Sequence, residues 1–149
     1  MRIVFDLDGV ICELKKPNES YGEVKPKVDV IKIVNELHDN GDHIIIYTGR
    51  HMRTCNGNVN EVIKKVGKIT KDWLKKNNVK YNELIFGKPH ADMYIDDLGV
   101  TFDTADKLKV RIDDTKLNDC FLRIVTKRFH EKNRASCAQT VHLVDFRFR

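Results

Sequence analysis

His43-Ile44-Ile45-Ile46-Tyr47 is the stretch that most limits what this chain can become. Successive side chains in a strand point to opposite faces, so three consecutive isoleucines leave no polar side. Such a strand belongs inside a sheet covered on both faces, the environment of a parallel α/β sheet. Residues 2–6, Leu84-Ile85-Phe86 and Met93-Tyr94-Ile95 read as three further strands. Between the first two strands, Val28, Ile31, Val34 and Leu37 recur at helical spacing, and Gly41 sits where a helix would stop. Val59, Val62, Ile63 and Val66 suggest a second helix, Gly67 interrupts it, and Thr70 can cap a further one through Trp73 and Leu74. Strands alternating with helices predict an α/β fold: a parallel sheet, helices on both faces, right-handed crossovers.

A chain of 149 residues is within the range of one domain and needs no disulfide or metal staple for stability. Hydrophobic residues at 41% and charged residues at 33% exclude a disordered composition. No apolar stretch approaches the roughly 18 residues of a membrane helix. The first strand begins at residue 2, which leaves no room for a leader, so a cytoplasmic location is expected. Cys12, Cys55, Cys120 and Cys137 lack metal-ligand spacing and read as free thiols of a reducing compartment.

The net charge of +5 is unevenly spread: residues 1–106 carry −1 and residues 107–149 carry +6. The basic character therefore belongs to the tail rather than to the strand-and-helix part, and overall charge does not argue for nucleic-acid binding. We expect two regions, a catalytic domain over 1–108 and a basic extension over 109–149. Within the extension, residues 115–132 read as a helix and 141–148 as a weak last strand.

Ligands of parallel sheets bind at the carboxyl ends of strands. That rule gathers Asp6, Asp8, Thr48, Lys88, Asp96 and Asp97 on one edge, since each lies at or just after the end of an expected strand. Asp6 and Asp8 with Gly9 suggest a carboxylate nucleophile and a metal, although the same three residues also suit an ordinary turn or a calcium loop. Thr48-Gly49 alone would be a strand-ending turn, Lys88 a solvated lysine, and Asp96-Asp97 a turn or a helix cap. A set of unrelated turns, however, does not predict a lysine and an acid pair on the same edge as Asp6.

Taken in order, Asp6-Leu7-Asp8-Gly9-Val10, Ile46-Tyr47-Thr48-Gly49-Arg50, Gly87-Lys88-Pro89 and Tyr94-Ile95-Asp96-Asp97 resemble the four motifs of the haloacid dehalogenase (HAD) superfamily. The resemblance implies a Rossmann-like HAD fold and a magnesium-dependent phosphatase. Asp6 would be nucleophile and metal ligand. Asp8 would be general acid and then base, with its backbone carbonyl on the metal. Thr48 and Gly49 would meet the phosphoryl group through a hydroxyl and a backbone N–H, and Lys88 would supply positive charge. Asp97 would be the direct metal ligand and Asp96 its neighbour, an assignment the residues alone leave open. Arg50 and His51 begin a polar, donor-rich loop that could grip substrate or simply connect two elements.

Glu13, Ser20-Tyr21, Thr48-Gly49-Arg50-His51-Met52, Cys55-Asn56-Gly57-Asn58-Val59 and Gly67-Lys68-Ile69-Thr70 narrow the resemblance to small capless HAD proteins called capsule biosynthesis phosphatases. That subgroup implies a sugar phosphate or related metabolite as substrate. About 16 residues separate the first motif from Pro26, too few for a folded cap. An open site admits a bulky substrate or is closed by the tail or by a second subunit of a homo-oligomer. Two other readings stand beside this one: a nucleic-acid end phosphatase, favoured by the basic tail, and a non-catalytic HAD-fold binding module.

Overall fold

The computed structural model describes residues 1–118. β1 (Arg2–Asp6), β2 (His43–Thr48) and β3 (Glu83–Phe86) form a parallel sheet in the order β1-β2-β3. The register sets Val4 opposite Ile45 and Asp6 opposite Tyr47, then Tyr47 opposite Ile85 and Thr48 opposite Phe86. The chain is thus an α/β protein of Rossmann-like type.

Between β1 and β2 runs α1 (Val28–Asp39), which buries Val30, Ile31, Ile33, Val34 and Leu37 on one stripe. It stops as expected at Gly41, whose φ of 86° only glycine adopts cheaply. The Gly41 N–H donates to the His38 carbonyl and the Asp42 N–H to that of Leu37, satisfying carbonyls the helix leaves open.

The second crossover differs from its expectation. α2 (Val59–Val62), a π-turn (Ile63–Gly67) and α3 (Lys68–Lys76) succeed one another without a break. Gly67 keeps helical dihedrals (φ −58°, ψ −48°), so it does not end the helix. Thr70 is therefore no cap: it lies inside α3 and is fully buried. Trp73, also buried, donates its indole N–H to the Val24 carbonyl at 2.8 Å.

With strands in sequential order, two right-handed crossovers wind both helical segments onto the same side of the sheet. Burial agrees: Phe5, Ile44, Ile46 and Thr48, on one face, are closed off. On the other face Ile45 is buried, whereas Val4 (58%) and Ile85 (40%) stand open. The two crossover segments therefore share the face of Phe5, Ile44, Ile46 and Thr48.

The expected fourth strand does not form. Met93, Tyr94 and Ile95 lie in an irregular stretch, 74%, 54% and 93% exposed. The run is only three residues long, and Tyr94 folds back locally: its hydroxyl donates to the Pro89 carbonyl, and its ring lies 4.7 Å from the Lys88 ammonium. Residues 7–27, between β1 and α1, form no helix and no strand of the sheet, yet they are firmly held. Glu13 and Lys27 N–H groups pair with the carbonyls of Lys25 and Ile11, and Leu7, Ile11 and Cys12 are fully buried.

The chain divides into two compact units, Met1–Ala105 and Asp106–Arg149. Residues 105–118 are helical, so helix begins ten residues ahead of the expected start at 115. The rest of that expected helix and the strand expected at 141–148 lie outside the described residues. Among the described residues no helix is long and apolar enough to cross a membrane.

Candidate active site

The carboxyl ends of the three strands meet as the sheet geometry requires. Asp6 closes β1; its Oδ1 accepts the N–H of Leu7 at 2.8 Å and its Oδ2 lies 2.6 Å from Lys88 Nζ. Lys88 reaches it because the end of β3 is laced to the end of β2. The N–H groups of Gly87 and Lys88 both donate to the Thr48 carbonyl, at 3.3 and 3.1 Å. A Cβ at Gly49 would lie 3.1 Å from the Lys88 carbonyl oxygen, so this close approach favours glycine. Both partners of the Asp6–Lys88 pair remain partly open, with side chains 30% and 21% exposed.

Asp8 stands two residues further, where the chain turns through Gly9 (φ 90°). Lys27 fixes that turn by donating to the Gly9 carbonyl at 2.6 Å. The Asp8 carboxylate is held by Arg50: Nε reaches Oδ1 at 3.2 Å and Oδ2 at 2.9 Å, and Nη2 reaches Oδ1 at 2.9 Å. Sequence reasoning offered Arg50 as a substrate contact; the structure turns it inward instead. It is 2% exposed, donates through Nη1 to Thr70 Oγ1 at 3.2 Å, and its guanidinium carbon lies 4.4 Å from the Tyr21 ring centroid.

Thr48 also differs from its expected role. It is fully buried, and its Oγ1 accepts the Arg50 N–H at 3.2 Å, a local turn bond rather than a hydroxyl presented to the open edge. Gly49 lies half-buried beside Lys88. His51 has a left-handed backbone (φ 57°); its Nδ1 is 2.7 Å from Thr54 Oγ1, and its ring meets the Tyr21 ring edge-on at 5.6 Å.

Asp96 and Asp97 are not brought to this edge. Both are exposed, and Asp96 Oδ1 accepts the Leu98 N–H at 2.7 Å in a local turn. Among the described residues, no three His, Cys, Asp or Glu side chains gather where they could hold a metal ion. The ligand set expected for magnesium, Asp6, Asp8, Asp96 and Asp97, is thus not assembled. The acids of the site are instead matched one to one with Lys88 and Arg50.

Three residues not expected at the site prove central. Tyr21 and Thr70 flank the Arg50 guanidinium, and the Cys12 Sγ lies 3.7 Å from its Nη2. Burial, reinforced by the Asp8 charge, pushes the Cys12 thiol up to about 12 and raises the Tyr21 phenol above its ordinary value. Thr70 falls between Val66 and Trp73 on the buried side of its helix, a signal present in the spacing. Nothing in the spacing announces Tyr21.

No family model matches the sequence, and no curated protein does. Among solved structures, the chain is similar to an MCSG target from Vibrio cholerae, with 37% identity and a TM-score of 0.62 over 66% of this chain and 81% of that one. The fold and strand-end site define an α/β protein of Rossmann-like type. Within that class, the chain belongs to the same family as the Vibrio cholerae protein. A more distant likeness, to the structure of a Pnkp1/Rnl/Hen1 complex, has 20% identity and a TM-score of 0.42 over 64% of this chain and 30% of that one.

Proposed function

We propose that this protein is a HAD-type phosphomonoesterase that works through Asp6. The observation that supports it most is the pairing of Asp6 with Lys88 at 2.6 Å, with a second acid, Asp8, two residues away on the same open edge. A carboxylate attacking a phosphate dianion is a meeting of like charges, and a fixed ammonium beside the attacking oxygen offsets part of that repulsion. In the first step an Asp6 oxygen forms a bond to phosphorus. The bond to the leaving oxygen breaks with its electron pair, and that oxygen takes the proton carried by Asp8. In the second step Asp8 takes a proton from water as the water oxygen attacks phosphorus, and the Asp6–phosphorus bond breaks back to the carboxylate. Asp8 begins and ends protonated, so the cycle closes.

Magnesium and a sugar phosphate substrate enter this reading through the HAD resemblance alone, and a cytoplasmic setting through the cysteine usage of the sequence; no step above is routed through the metal. The test is phosphate release with and without magnesium over sugar phosphates, nucleotides and 3′- or 5′-phosphorylated oligonucleotides. Asp6→Asn keeps the shape and removes the nucleophile, so turnover should fall at least a thousandfold, an order of magnitude common for a lost nucleophile. Turnover of the variant at the parent rate would sink the mechanism; preference for oligonucleotides would redirect the substrate class.

A further inference from the structure

We infer that Arg50 is a positioning residue for Asp8: it sets the plane of the carboxylate that moves the proton, and does not contact substrate. The inference rests on the phosphomonoesterase reading above and deepens it.

Three observations support it. First, Arg50 is 2% exposed, so its guanidinium lies behind the site rather than over it. Second, its N–H groups engage both Asp8 oxygens at 2.9–3.2 Å, a fork that fixes orientation as a single lysine charge would not. Third, the guanidinium has its own supports: Thr70 Oγ1 at 3.2 Å from α3, and the Tyr21 ring at 4.4 Å from the segment after β1. Oδ1 is taken up by two Arg50 N–H groups and the Cys12 thiol, whereas Oδ2 accepts from Arg50 Nε and keeps a further lone pair; with the carboxylate 21% exposed, Oδ2 can still carry or take a proton. The arrangement joins three stretches distant in sequence, 8–21, 50 and 70, on one carboxylate.

A positioning residue for a general acid has a signature that a structural residue lacks. Protonating the leaving oxygen matters most when that oxygen is a poor leaving group and little when it is a good one. The experiment compares phenyl phosphate with 2,4-dinitrophenyl phosphate, both with magnesium, in the parent, Arg50→Lys and Thr70→Val. We expect Arg50→Lys to lower kcat/KM, which reports the step that expels the leaving group, on phenyl phosphate by about tenfold or more beyond any loss on the dinitrophenyl ester. Thr70→Val keeps Arg50 and should show the same pattern more weakly, which keeps the inference testable if Arg50→Lys does not fold. Equal losses of kcat/KM on both esters would overturn the positioning role while leaving the phosphatase reading intact. A parent protein inactive on both esters overturns the two together. A readout without turnover is the proton NMR signal of the Arg50 Nε–H, which should shift in Asp8→Asn; an unmoved signal refutes the contact itself.

Discussion

The turn after β1 and the segment after β3 each carry an adjacent group of acids, yet they are held in opposite ways. Asp8 sits on a turn whose neighbours Leu7, Ile11 and Cys12 are fully buried, and its carboxylate is forked by Arg50. Asp96 and Asp97 sit among Met93, Ile95 and Leu98, which are 74%, 93% and 85% exposed. What separates the two is the partner each stretch finds. The first has a cation of fixed geometry and a tryptophan clamp behind it; among the described residues, the acid pair of the second shows the local Asp96–Leu98 turn bond and no such anchor. Acids at an expected strand end become a site when something buried holds them.

Three measurements test that contrast. Trp73 anchors the segment after β1 through its bond to the Val24 carbonyl, so Trp73→Ala should cost about 3–5 kcal/mol in a denaturant titration. A cost near zero would mean that the firm side of the comparison is not firm. Next, Cys12 lies on that side with its thiol pushed up from 9.0 to about 12. Raising the pKa stabilises the protonated thiol, so at pH 8 the thiolate fraction is about a thousandfold below that of a free cysteine. Peptide mapping after iodoacetamide treatment of the folded protein should find Cys12 unmodified, and rapid labelling would contradict its placement. Last and smallest, Asp96→Asn with Asp97→Asn should change stability by less than about 0.5 kcal/mol, since both residues are exposed. A larger loss would show that the segment is held more tightly than the structure has it.

Much of the fold is legible because short-range physics sets it. The isoleucine run of β2 ends up central, α1 stops at Gly41, and Asp6 and Lys88 meet because parallel strands bring their carboxyl ends together. Three departures have a common origin in partners that a periodic pattern does not encode. Thr70 resembles a helix cap, yet a π-turn carries the helix through Gly67 and delivers its hydroxyl to Arg50. Arg50 resembles a surface cation, yet a carboxylate 42 residues earlier draws it inward. Met93-Tyr94-Ile95 resembles a strand, but a three-residue run lacks the ladder bonds to outweigh the local contacts of Tyr94 with Pro89 and Lys88. Periodicity finds elements; it does not find the ion pair that ties them together.

The π-turn at Ile63–Gly67 bears on how this chain tolerates changes in length. Each α-helical residue advances about 100° around the axis, and a π-turn absorbs one extra residue without rotating the helix beyond it. Dropping one of Lys64 or Lys65 would convert the turn to regular helix and leave Val62 and Thr70 on the same side as before. The same deletion two turns later, between Thr70 and Trp73, would swing the tryptophan away from Val24. Relatives one residue shorter are therefore expected to have lost it at the π-turn, the place where a gap in an alignment costs the architecture least.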